Sequence, residues 1–288
     1  MDTTIIVQAL IQGIMLGAIY GLIAFGITMV FAITGLLNFA HGDFMAMAMY
    51  LCLALYTHFH IDPYMSMLLA VPLLFALGIL VYHFLFRRVL KAEVLMVIQL
   101  TLGMVFIIES SLLLGFTADY ESVPNFLHAK RIVMGPLSVS GSYLAVFLIG
   151  GGVGVALYLI LQKTDLGRQI RAIAQHKDAA TLMGINTTRI QMFVFALGIA
   201  LLGMSGALTT SILTMEPYMG LELTLFAFIV FVMGGVGNFL GTLVAGYVLG
   251  VAEAMGALLI GGHLGTLVPY GLFVLVLLFR PQGILGAK

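Results

Sequence analysis

Residues 5–33 read IIVQALIQGIMLGAIYGLIAFGITMVFAI and carry no charged side chain. A helix rises about 1.5 Å per residue, so about 20 such residues cross a hydrocarbon core about 30 Å thick. This run exceeds that length. It is too long for the apolar core of a secretion signal, and Met1-Asp2-Thr3-Thr4 ahead of it holds an acid and no base. It reads as a retained membrane span, and no lipidation signal accompanies it.

The rest of the chain extends the pattern. Only 8% of its 288 residues are charged, against about 25% in soluble domains, and its mean hydropathy is +1.16. So few charges cannot clothe a water-facing surface. Further apolar runs fall at 36–57, 63–86, 94–116, 141–162, 187–213, 222–236, 239–261 and 264–279. Lipid offers no partner to a free backbone group, so spans are helices or closed barrel strands. Barrel strands alternate polar and apolar residues, and these runs do not. The expected fold is all-α: a polytopic transmembrane helix bundle of eight or nine spans forming a single transmembrane domain over 1–288, with one short cytoplasmic helix. Residues 222–261 hold the ambiguity, because Gly234, Gly235, Gly237 and Gly241 fit either a tight turn or a broken helix.

Net charge is zero, and the distribution of charge is more informative than the total. If spans alternate, Arg87, Arg88, Lys91, Lys163, Arg168, Arg171, Lys177, Arg189, Arg280 and Lys288 share one side, and only Lys130 and Arg131 fall on the other. Basic residues mark the cytoplasmic side. The expectation is an inner-membrane protein with its N-terminus outside, its C-terminus inside and an odd number of spans. Residues 117–140 become the largest external loop and 163–188 the largest cytoplasmic segment. No basic stripe suggests nucleic acid. A single cysteine, Cys52, excludes an intrachain disulfide and a cysteine-based metal cluster. No metal site, cofactor or catalytic constellation is expected.

Several features bear chemistry. Gly13, Gly17 and Gly21 form a doubled G-x-x-x-G, and Gly246 and Gly250, followed by Ala254, repeat the spacing. Such faces let helix backbones approach; they fit a pathway wall, a subunit interface or ordinary bundle packing. The stretch from Thr34 to Met45 places Asn38, His41 and Asp43 beside Gly35 and Gly42. A charged group at a span centre costs about 2.5–3.5 kcal/mol on insertion scales, so it faces protein or a wet cavity. Either one helix carries Asn38 and His41 on a common face, or Gly35 breaks the helix and Asn38 or Thr34 caps a new one, whose N-terminus suits a carboxylate. A translocation pathway or gate and a polar lock between helices both fit. Glu109 and Glu253 also lie within spans, as substrate contact, proton relay or interhelical hydrogen bond. Gly246 and Ala257 share the face of Glu253, which is therefore expected to point inward.

In the segment 163–188, Thr164 or Asp165 suits a cap for a helix through Arg168 and Arg171. A break is expected near His176-Lys177. Asp178-Ala179-Ala180-Thr181-Leu182-Met183-Gly184 then reads as a short helix with acid first and glycine last. A compact charged helix beside a membrane is a natural docking knob, though a solvated loop helix looks the same.

Asp178-Ala179-Ala180-x-x-x-Gly184 resembles the E-A-A-x-x-x-G motif of ABC importer permeases, with Asp in place of Glu and without the Ile-x-Leu-Pro that often follows. Gly35–Met45, Gly167–Gln175, Leu182–Asn186 and Phe279–Gly286 resemble the LivH class of branched-chain amino acid permeases, in order and over nearly the whole chain. The resemblance implies a coupling helix formed by Asp178, Ala179, Ala180 and Gly184, flanked by Arg168 and Arg171. It also implies a second homologous permease subunit, two cytoplasmic ATPase subunits and a periplasmic substrate-binding protein. The chain has no G-x-x-x-x-G-K-[ST] loop of its own for ATP phosphates. Two other readings compete. A self-sufficient ion-coupled transporter would use Asp43, Glu109 or Glu253, and a membrane scaffold would move nothing.

Overall fold

A computed structural model describes residues 3–90, 92–127, 130–135 and 137–286. Met1, Asp2, Lys91 and Lys288, weighed above, lie outside the described residues, as do His128, Ala129 and Pro136 of the 117–140 segment. Each apolar run is found as a helix: α1 (Thr3–Thr34), α2 (His41–Phe59), α3 (Pro63–Val81), α4 (Val94–Phe116), α5 (Gly141–Lys163), α8 (Thr187–Thr210), α9 (Met219–Gly234), α10 (Phe239–Leu259) and α11 (Leu267–Phe279). Between α5 and α8 lie α6 (Asp165–Gln175) and α7 (Lys177–Leu182). A π turn over Tyr82–Phe86 prolongs α3 to Val89. Six helices are long and apolar enough to cross a membrane: α1, prolonged α3, α4, α5, α8 and α10. Met219–Gly234 and Leu264–Phe279 are shorter apolar helices.

The chain is held at two ends. At one, here the upper end, Asp62 caps α3 by accepting from Tyr64 N–H at 3.0 Å and also accepts from Phe126 N–H at 3.0 Å. Asn125 donates to the carbonyl of Ser211, and Glu121 bridges to Met215. The upper loop also folds into an antiparallel hairpin, β1 (Arg131–Met134) and β2 (Leu137–Ser140), a feature absent from the all-helical expectation. At the lower end Gln191, 2% exposed, donates to the carbonyl of Ile33 at 2.7 Å and accepts from the hydroxyl of Tyr82 at 3.3 Å, tying α8 to α1 and α3.

The glycine faces pack against each other inside this chain. A Cβ at Gly13 would lie 2.7 Å from Val251 Cα, one at Gly17 2.6 Å from Tyr247 Cα, and one at Gly250 2.5 Å from the nitrogen of Gly17. Only hydrogen at those positions permits α1 and α10 to run backbone against backbone. The Thr28 and Thr242 hydroxyls join the same seam at 2.9 Å. Of the three uses the spacing allowed, packing within the bundle is the one these contacts serve.

Residues 222–261 prove to be two helices. Gly235 (φ 101°) and Gly237 (φ 79°) occupy the left-handed region that other residues avoid. Asn238 then caps α10 by accepting from Gly241 N–H at 2.9 Å. The C-terminal tail closes this turn: Ile284 N–H donates to Met233, and the Asn238 amide donates to Leu285.

Candidate functional site

Gly35 takes φ 67°, ending α1, and residues 35–38 have no regular structure before α2 starts at His41. The break falls where the second of the two sequence readings put it. Asn38 does not cap α2, however. Ala40 holds the cap position, and Asn38 Oδ1 accepts from Ala40 N–H at 3.1 Å. α2 starts inside the protein: His41, Gly42 and Asp43 are all buried.

Its first turn meets α1 on one side and α9 on the other. His41 Nε2 lies 3.1 Å from the carbonyl of Ile23. A carbonyl only accepts, so Nε2 carries the proton and Nδ1 is left as an acceptor. Gly42 N–H donates to Thr224 Oγ1 at 2.8 Å, satisfying a donor left free at a helix start. The single Thr224 proton reaches Gly220 O at 2.9 Å or Phe39 O at 3.1 Å. A Cβ on Gly42 would meet the backbone of Gly220 and Thr224, and one on Gly220 would meet the Asp43 carboxyl.

Four buried atoms here have no protein partner: Asn38 Nδ2, His41 Nδ1 and both Asp43 carboxyl oxygens. An orphaned buried polar atom costs about 1–3 kcal/mol. A lock between helices gains its strength from pairing such atoms, and here they are unpaired.

Glu109 on α4 is the charged neighbour of Asp43. Beside it Ser110 and Ser111 are exposed, and Gln99 is exposed three turns earlier. The outward faces of α3 and α5 present Leu68, Leu73, Leu80, Leu148, Val155 and Leu159, and α4 exposes Phe106, Ile107 and Leu114 beside its polar residues.

Glu253 sits apart from this cluster. It lines a cavity of about 270 Å³ with Tyr20 of α1, Glu222 and Phe226 of α9 and Glu216 of the upper loop. Tyr120 reaches the same cavity; hydrogen bonding to Glu216 raises its pKa above the usual tyrosine value. A second cavity of about 640 Å³ opens at the lower end, lined by Phe31–Gly35, Arg171, His176, Gln191 and Phe239. Along α1 the order is upper cavity at Leu16 and Tyr20, His41 contact at Ile23, lower cavity from Phe31. The buried polar knot separates the two cavities.

The lower segment forms as its sequence suggests. Thr164 caps α6 by accepting from Gly167 N–H at 3.4 Å, and Arg168 pairs with Asp165 on the surface. Arg171 instead donates to the carbonyl of Leu161, fastening α6 to the end of α5. Ile170 and Ile173 are buried against the bundle. α7 follows directly, with Asp178 in its first turn and Gly184 beyond it at φ 84°. Ala180 is buried, whereas Asp178 and Ala179 are exposed and Leu182 and Met183 are 89% and 83% bare.

Of the anticipated residues, Asn38, His41 and Asp43 come together at the start of α2, with Glu109 of α4 near enough for its charge to act on Asp43, and Arg168, Arg171 and Asp178–Gly184 form a second group. Glu253 belongs to neither. Thr224, Gly220, Tyr20 and Glu222 were not anticipated. Thr224 is a small residue 182 positions from the amide it satisfies, and nothing local marks it. Gln191 did carry a signal, as an amide inside an apolar run.

The family model described as "Branched-chain amino acid transport system / permease component" matches residues 9–277. The chain is 32% identical to the Pseudomonas aeruginosa high-affinity branched-chain amino acid transport system permease protein BraD, covering 97% of this chain and 95% of that one. It is 28% identical to the Escherichia coli K12 permease protein LivH over the same shares. A shorter similarity, 34% over 39% of this chain and 36% of the other, links it to the ribose import permease protein RbsC of Haemophilus influenzae. No solved structure matches. A helical bundle with apolar spans, matched over nearly its whole length, makes this chain a membrane protein of the branched-chain amino acid transport permease family.

Proposed function

We propose that the chain is a permease subunit of an ATP-binding-cassette importer, carrying branched-chain or related amino acids into the cytoplasm. The observation that carries the ATP-driven part is α7: a short helix at the lower end with Leu182 and Met183 bare beside exposed Asp178. Two large apolar side chains standing in water have a reason if a soluble partner covers them. In this reading each of two cytoplasmic ATPases receives such a knob, and a periplasmic binding protein delivers substrate at the upper end. The N-terminus then lies outside and the C-terminus in the cytoplasm, which the basic residues of 163–189 support.

A second permease covers the outward face of α4. Glu109, Ser110 and Gln99 are costly against lipid and inexpensive against a wet pathway shared by two subunits. Asn38, His41 and Asp43 form the gate, and their unpartnered atoms favour it over a lock: a gate exchanges partners between two states. The knob moves when the ATPases close, and α6, fixed to α5 through Arg171, passes the motion to the spans.

The test is reconstitution with the partner subunits. Leu182→Asp should lower uptake at least about tenfold while the complex melts as wild type; Gly184→Val, forced into the left-handed region at φ 84°, should lower uptake as well and also cost stability. Unchanged uptake together with unchanged ATPase stimulation by the binding protein would remove the docking role.

A further inference from the structure

We propose that the upper cavity between α1, α9, α10 and residues 211–218 is an acceptor site for the ammonium group of an apolar amino acid. The inference rests on the permease reading and adds a place and a chemistry to it. The cavity, about 270 Å³, lies just below the usual range of about 300–1,000 Å³ for ligand pockets, a size for a small molecule.

Its walls carry one sign of charge. Glu216, Glu222 and Glu253 come from three separate elements, and among the described residues no Lys, Arg or His lines the space. An anion would be repelled by this wall, and a cation would be drawn to it. Glu253 Oε2 is buried and has no hydrogen-bond partner although its residue lines the cavity. Tyr20, 6% exposed, reaches Glu253 within hydrogen-bonding distance at the cavity wall.

A bare metal ion does not fit. Among the described residues no three acidic, histidine or cysteine side chains stand close enough to share one. The carboxylates are spread around the cavity, and between them the wall is apolar: Leu16, Leu213, Met219 and Leu223, with Tyr20 and Phe226 stacked at 5.3 Å and 4°. Such a surface suits a cationic head joined to an aliphatic body. The ammonium meets Glu253 and Glu222, and the side chain lies on the Tyr20–Phe226 plane. The substrate carboxylate stays at the mouth, where Thr214 is exposed. The buried knot begins one helical turn deeper along α1, so the site holds substrate directly above the proposed gate.

The experiment uses the assembled transporter in lipid nanodiscs without its binding protein. Binding of labelled leucine is measured, with competition by isopentylamine, which lacks the carboxylate, and by 4-methylpentanoate, which lacks the ammonium. The amine should compete and the acid should not. Glu222→Gln and Glu253→Gln should each weaken leucine binding about tenfold or more, while Glu121→Gln, outside the cavity, leaves it unchanged. Glu222 is exposed, so its variant decides the matter if Glu253→Gln fails to fold. No leucine binding by the wild type, equal competition by the acid, or wild-type affinity in Glu222→Gln overturns the proposal. ATP-driven uptake with the binding protein, run alongside, reports separately on the permease reading: uptake that persists while the cavity proves indifferent sinks the cavity alone.

Discussion

At the scale of single residues, two positions in the buried knot separate its energetics from its use. Gly42 is required because its neighbours are backbone: a methyl would strike Gly220 and Thr224, neither of which is the end of a flexible side chain. Gly42→Ala is expected to cost about 1–3 kcal/mol or more, read as a lower thermal midpoint in detergent; a wild-type midpoint would mean that the two helices separate at no cost. Asp43 behaves differently. Its carboxyl oxygens have no partner, so Asp43→Asn removes no hydrogen bond and relieves a buried carboxylate. The variant should melt at or above the wild-type temperature and transport poorly. Lost stability with normal transport would instead identify a structural lock.

At the scale of elements, α1 and α10 depend on hydrogen-only positions at Gly13, Gly17, Gly246 and Gly250. The spacing of Gly13, Gly17 and Gly21 announced a close approach, but three partners were open to it, and only the fold selected Gly246 and Gly250 of the same chain. Gly250→Leu should therefore prevent folding of the isolated chain rather than weaken subunit assembly. Protease resistance in membranes checks this; a resistant chain that fails only to assemble would move the seam to a subunit interface. The α6–α7 pair was far more legible. Thr164, the His176 break and Gly184 each act on the nearest few residues, and local rules of capping and left-handed backbone suffice to place them. The hairpin over 131–140 and the π turn after α3 escaped notice, because neither has an apolar period long enough to read.

At the scale of the whole molecule, the proposed orientation is open to chemical labelling. Cys52 is buried, so a cysteine introduced at an exposed position is labelled against a low background. Thr181→Cys on α7 should react with an impermeant maleimide in inside-out vesicles and resist it in intact spheroplasts. The opposite pattern would invert the topology and place the knob away from any cytosolic ATPase. In the same picture the upper cavity at Tyr20 and the lower cavity at Phe31–Gly35 are closed from each other by residues drawn from α1, α2 and α9.

What the sequence alone determined is everything that depends on neighbours along the chain or on bulk solvent preference. Apolar length specified helices in a membrane, basic residues gave an expected orientation, and local signals marked the break at His176 and left those at Gly35 and Gly235 as alternatives. Tertiary structure decided what depends on pairing across distance: that Gly42 meets Thr224, that Glu109 neighbours Asp43 while Glu253 faces Tyr20, and that the glycine faces close on each other. The physical reason is that in an apolar medium hydrophobicity is nearly uniform and does not rank one helix neighbour above another. Backbone clearance and a few polar contacts make that choice, and these exist only once the helices have met.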